Sequence, residues 1–383
     1  MKIAIDAREL RGKPTGVGRF LAEVLAAWRT MPEAQAHELI MCAPDDDGPS
    51  TSLGAGGTLW EQVRLPRSVR DARADVLFAP GYSGPIFCPV PMVVAIHDVS
   101  FAARPEWFSW REGARRRTTV QLAARAAARV VTISQFSKRE IVTHLGIDSA
   151  KIVVVYPGVA DLTLRPFDRL KVAPSGVEGR QAQGHPEHSR GMKGPPRMAN
   201  ELSQTVLFAG SIFNRRHVPE LIEGFARLAR VHPDARLEIV GENRTSPHID
   251  LVDIARATGL GDRVQLRSYV PDDELRSLYA GGSAFVFLSE YEGFGLTPLE
   301  ALAAGVPVLL LDTPVAREVC GDAAIYVARP DPALIEAALT TLLFDPLERA
   351  RILTAAQRVL ARYSWTDCAR QVLNVLISCG AHG

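Results

Sequence analysis

The sequence predicts an α/β chain of two Rossmann-like domains facing each other across a cleft, and three observations carry that expectation. Short apolar strands alternate with amphipathic helical stretches through both halves of the chain. A single abrupt composition break separates the halves. The length, 383 residues, exceeds what one core of roughly 150 residues organises.

In the first half, Ile3-Ala4-Ile5 reads as a buried strand, and 19–28 as a helix with Phe20, Val24 and Leu25 on one face. Strands are expected at 76–78, 92–96, 130–133 and 152–155, with a long helix at 112–128. From Val172 to Asn200 the chain carries five Gly, four Pro and no aromatic residue, too little apolar area to offset the entropy of ordering it. This reads as a linker. In the second half, strands are expected at 206–209, 237–240, 264–266, 284–288 and 306–311, with helices at 219–230 and 274–280. Short apolar strands with intervening helices form βαβ units and parallel sheets covered on both faces. The expected domains are therefore 1–171, a linker at 172–200, 201–362, and a terminal helix within 363–383.

Composition excludes several classes. The 47% hydrophobic and 23% charged residues are those of a globular protein. Lys plus Arg is 44 against 43 Asp plus Glu, so the net charge of +1 gives no bulk field for a nucleic acid. No run of ~18 apolar residues spans a bilayer. The five cysteines form no C-x-x-C pair, which speaks against a disulfide framework or a thiolate zinc site. The expected setting is cytoplasmic.

Ligands of open α/β sheets bind beyond the C-terminal strand edges. Just past the strand at 284–288 stands Glu292-Gly293-Phe294-Gly295-Leu296-Thr297-Pro298-Leu299-Glu300. Thr297 and Glu300 have capping-box spacing, with Pro298 at the first helical position. Glycines let a ligand approach the main chain, and a new helix N-terminus favours phosphate. Capping leaves Glu292 unexplained. Arg215 and Arg216 precede the helix expected at 219–230, where positive charge is unfavourable unless an anion binds. Gly16 and Gly18 open the first helix without completing a G-x-G-x-x-G fingerprint, since Leu21 holds the last position. His97-Asp98 ends the strand at 92–96.

The stretch EGFGLTPLEALAAGVPV resembles the E-x7-E signature of retaining glycosyltransferases of the GT-B fold, the large group 1, GT4-like family. The resemblance implies a nucleotide-sugar donor and a hydroxyl of a glycan or lipid-linked acceptor. It implies that Glu300 holds the ribose, that Glu292 meets donor-sugar hydroxyls, and that Gly293, Phe294, Gly295, Leu296 and Thr297 lie along sugar and phosphate. Gly210 begins the similar phosphate loop, where Arg215, Arg216 and His217 replace the usual Arg-Lys-Asn; Arg216 keeps the charge of the lysine with another geometry. Gly16 and Gly18 then lie against the diphosphate, His97 faces the reacting sugar, and Tyr269 with Val270 borders the base. No metal or other cofactor is implied, and no compact D-x-D motif stands beside the donor loop. The segments IDAREL, TGVGRF, HDVSF and PEWF are similar to polysaccharide mannosyltransferases, which implies GDP-mannose. The basic region Arg111–Arg117 beside Trp107 and Trp110 suits peripheral contact with the inner membrane face. A solvated arginine face, a nucleotide-sugar epimerase and a non-catalytic homologue stand as alternatives.

Overall fold

A computed structural model describes residues 1–11, 16–44, 59–159 and 204–381. The expected linker at 172–200 lies outside these residues.

Two six-stranded sheets, parallel throughout, form the frame. The first contains β1 (Lys2–Asp6), β2 (Glu38–Cys42), β3 (Val76–Ala79), β4 (Met92–Ala95), β5 (Arg129–Thr132) and β6 (Ile152–Val154), in the order β2-β1-β3-β4-β5-β6. The second contains β7 (Thr205–Ala209), β8 (Arg236–Val240), β9 (Val264–Arg267), β10 (Ala284–Phe287), β11 (Val308–Leu311) and β12 (Ala324–Val327), in the order β12-β11-β10-β7-β8-β9. The central strands are buried along their whole length, as a sheet covered on both faces requires. β11 begins only at Val308, because Pro307 has no N–H to give to the ladder.

In the second sheet the strand order reverses between β7 and β10, which makes that boundary the crevice where ligands bind in doubly wound folds. The helices that matter for the site are α1 (Gly16–Trp28), α2 (Trp110–Ala126), α3 (Gln135–Leu145), α4 (Val218–Val231), α5 (Asp272–Gly281), α6 (Leu296–Ala303) and α7 (Pro314–Cys320). The terminal helix α8 (Trp365–Gly380) leaves the second sheet and packs on the first domain. Its Cys368, Val372 and Leu376 join Phe20, Val24 and Trp28 of α1 in one core. Trp28 Nε1 donates to the Ala369 carbonyl at 2.8 Å.

Candidate functional site

The loop after β7 and the loop after β10 meet at the switch point, and each is shaped by a glycine. Gly210 has φ +142°, and a Cβ there would stand 2.9 Å from Arg216 Nη1. That φ is one only glycine adopts without strain, and the Arg216 guanidinium folds back over the loop beside it. Arg216 then donates through Nε (3.0 Å) and Nη2 (2.7 Å) to Glu292 Oε1, which also accepts from Ser289 Oγ at 2.8 Å. Its Nη1 donates to the Ser211 carbonyl at 2.6 Å.

Arg215 is placed differently. Its guanidinium lies 4.2 Å from the Phe213 ring centroid and 5.3 Å from that of Trp107, which comes from the other domain. Among the described residues its buried Nε has no hydrogen-bond partner. Burial depresses its pKa, while Glu292 pulls it back up and Arg216 adds repulsion. A desolvated cation without an ion pair is stabilised by an incoming anion.

The capping-box expectation is overturned. α6 begins at Leu296, with Gly295 as N-cap at φ +99° and no side-chain cap. Thr297 and Pro298 are therefore already inside the first turn, and Glu300 cannot reach back to cap. Glycine at the N-cap supplies no side-chain acceptor, so the N–H groups of Leu296 and Thr297 keep their donor capacity. Glu300 is instead 4% exposed. Its Oε1 lies 2.5 Å from Arg19 Nη1 of α1, and its Oε2 accepts from the Tyr279 hydroxyl at 3.4 Å.

Gly293 makes a tight passage between the domains, since a Cβ there would lie 2.2 Å from the His97 carbonyl oxygen. The Gly293 carbonyl accepts from Ser134 Oγ at 2.6 Å and from Ser137 Oγ at 3.1 Å. His97 is buried, edge-on to Phe20 at 5.0 Å. Its Nε2 donates to the Pro80 carbonyl at 3.0 Å, leaving Nδ1 as an acceptor. Burial depresses the His97 pKa against the pull of Pro80 and Asp98, so the neutral ring is favoured. Asp98 Oδ1 accepts from the Ser100 N–H at 2.9 Å and Oδ2 from the Tyr82 hydroxyl at 2.8 Å, an orienting role.

The remaining expected residues spread around this centre. Gly16 is exposed at the start of α1, with no atom within 4 Å of an added Cβ, and Gly18 is buried one residue before Arg19. Phe294 is buried against Tyr363 at 5.2 Å. Tyr269 is 76% exposed while Val270 is buried. Beside them, Ser268, Arg267, Asn243 and His248 line a cavity past β8 and β9. The basic region is thinner than its composition suggests, because Arg116 pairs with Glu112 at 2.6 Å and lies against Phe108. Trp110 is 82% exposed, and Arg111 and Arg117 are exposed.

Several residues escape sequence reasoning. Arg19 was unmarked because its partner lies in the other domain. Glu318 of α7 accepts the Gln135 and Phe136 N–H groups at 2.6 and 2.8 Å and so caps α3 across the domains. Asp6, Arg8 and Glu61 form a buried cluster, with Arg8 Nη2 2.6 Å from Asp6 and 2.7 Å from Glu61. Only their unusual charge in an apolar run could have signalled it.

Known proteins supply the family. The glycosyl transferases group 1 family matches residues 197–359, and glycosyltransferase family 4 matches 14–161. The chain belongs to the group 1, family 4-like glycosyltransferases. It is similar to the O-antigen chain mannosyltransferase B of Escherichia coli, with 26% identity over 98% of this chain and 99% of that one. It is also 31% identical to the D-inositol 3-phosphate glycosyltransferase of Kineococcus radiotolerans, over 75% of this chain and 66% of the relative. In fold it matches Anabaena HepE, solved in complex with UDP and glucose, at a TM-score of 0.68 and 20% identity, covering 99% of this chain and 100% of HepE. The two parallel sheets are the GT-B architecture, and the protein is a glycosyltransferase.

Proposed function

We propose that this glycosyltransferase moves a hexose from a nucleoside-diphosphate sugar to a glycan or lipid-linked hydroxyl, with retention at the anomeric carbon and without a metal ion. The observation that carries the reading is Arg215, a desolvated guanidinium with an unpartnered Nε beside the Arg216–Glu292 pair at the β7–β10 switch point. Fixed cations there suit a departing diphosphate, whose negative charge grows in the transition state. Glu300 accepts the ribose hydroxyls, Glu292 meets the donor sugar, and the Gly293–Thr297 backbone follows sugar and phosphate. Gly16, Gly18 and Gly210 admit the diphosphate closely, Tyr269 and Val270 border the base, and His97 faces the sugar from the other domain.

The bond from the anomeric carbon to the β-phosphate oxygen breaks, and the acceptor oxygen bonds to that carbon on the same face. The acceptor proton passes to the departing phosphate oxygen. Arg215 and Arg216 stabilise that oxygen, and the cleft holds the partners in line.

The donor assigned is GDP-mannose, on the full-length similarity to the E. coli mannosyltransferase. A lipid-linked acceptor agrees with Trp110, Arg111 and Arg117, which offer an aromatic and basic face to an anionic inner-membrane surface. Among the described residues no helix is long and apolar enough to cross a membrane. The test is a thermal-shift and turnover screen of GDP-mannose, UDP-glucose, ADP-glucose and dTDP-glucose, repeated with EDTA, with the product anomer read by proton NMR. A stabilising donor and an α-linked product insensitive to EDTA are expected. An inverted product, a metal requirement or an epimerised donor without transfer would contradict it.

A further inference from the structure

Arg19 stands in the first turn of α1 in the first domain, yet its charge is matched in the second. Its Nη1 lies 2.5 Å from Glu300 Oε1, with the Arg19 side chain 24% exposed and that of Glu300 5%. Close as they are, the two are not aligned for a hydrogen bond, and Glu300 Oε1 is buried without a donor among the described residues. Among the described residues Oε2 has only the long bond from Tyr279. A buried carboxylate needs aligned donors, and this one has a neutralising charge in their stead.

We infer that Arg19 is a donor-binding residue of the first domain: it neutralises Glu300 before the donor arrives and passes to the diphosphate when the ribose takes Glu300. This rests on the donor reading above. A ribose diol supplies the aligned hydroxyl donors that Glu300 lacks, and it must occupy the space that Arg19 Nη1 now holds. The displaced guanidinium remains tethered to α1 at the cleft. Having lost a carboxylate there, it is stabilised by the nearest anion, and the donor brings one in its diphosphate. Gly16, three residues earlier, has no atom of the described residues within 4 Å of an added Cβ at the same helix start. The pair Arg216–Glu292 repeats the arrangement on the sugar side. Donor binding then exchanges two protein ion pairs for Arg–phosphate and Glu–hydroxyl bonds, and both domains grip one ligand.

The exchange predicts opposite effects on two ligands. Calorimetry would compare uridine with UDP and guanosine with GDP on wild type, Arg19→Gln and Arg19→Lys, all as full chains. For the pair that binds, Arg19→Gln should take the nucleoside about threefold or more tighter, because the competitor for Glu300 is gone. It should take the diphosphate about tenfold or more weaker. Arg19→Lys should fall between. Both ligands weakened alike would make Arg19 merely structural, and both strengthened alike would make it only a latch; either overturns the inference while the donor reading stands. A wild type that binds neither pair overturns the donor reading and this inference together. If Arg19→Gln does not fold, the diphosphate-to-nucleoside affinity ratio of Arg19→Lys decides: a fall of about threefold or more supports the inference, and an unchanged ratio contradicts it.

Discussion

Arg215 and Glu300 each bury in the cleft one polar atom that no hydrogen bond satisfies among the described residues, and they differ in what their removal should do. Among the described residues Arg215 has stacking partners but no ion pair, so Arg215→Ala should change stability by no more than about 1 kcal/mol. Turnover should fall by about 10²–10³-fold if the cation stabilises the departing phosphate. Melting curves and steady-state rates on one preparation check this, and a large destabilisation with intact turnover would make the residue structural. The motif spacing singles out both glutamates and both arginines along the chain. What it could not give was their pairing, since Arg216 meets Glu292 across 76 residues and Arg19 meets Glu300 from the other domain. The capping-box reading failed for a local reason. Gly295 at positive φ starts the helix two residues earlier than Thr297 would, turning Glu300 inward to Tyr279.

At the scale of elements, two contacts can be tested by themselves. His217 sits in the left-handed region (φ 51°) at the N-cap of α4, with Nε2 2.7 Å from Glu290 and Nδ1 3.2 Å from Glu220. Burial pulls its pKa down, but the bonds and charges of the two glutamates outweigh it and leave it raised. A raised folded-state pKa contributes stability that is full below the ordinary imidazole value of about 6.5 and is lost as pH rises through the raised value. His97, depressed by burial, works the other way and loses its contribution as pH falls. The Tm difference between wild type and His217→Asn removes the His97 effect. It should be largest near pH ~6 and shrink toward pH ~8.5, and a difference independent of pH would contradict the ion pairs. Glu318 of α7 caps α3 from the other domain without touching the loop at Gly293–Thr297, so Glu318→Ala should cost about 1 kcal/mol in stability with nucleotide affinity retained. An affinity loss larger than the stability loss would place Glu318 in the site. The central strands were legible because full burial leaves continuous apolar runs. β2 and β12, partly exposed edge strands, carry within their bounds apolar runs of only four residues, Leu39–Cys42 and Ala324–Val327, and a run that short does not by itself separate a strand from a buried helix segment.

Over the whole molecule, the sequence implies two α/β domains and a terminal helix, and α8 packs on α1 of the first domain through buried apolar contact. The linker composition could say that two domains exist but not how they meet. The meeting is specified by atoms far apart in sequence: Gly293 against the His97 carbonyl, Ser134 and Ser137 on the Gly293 carbonyl, Trp107 over Arg215, Arg19 on Glu300. Near-zero net charge conceals this arrangement, in which cations and carboxylates alternate around one crevice. The central claim is that this crevice at the β7–β10 switch point holds a nucleoside diphosphate through Glu300. Calorimetric titration of wild type and Glu300→Gln with GDP and UDP tests it most directly. Wild type should bind one of them with a stoichiometry of about one, and the variant, which keeps the side-chain shape, should lose about 10–100-fold, or roughly 1.5–3 kcal/mol. Equal affinity in the two proteins, or no binding of either nucleotide to wild type, would contradict it.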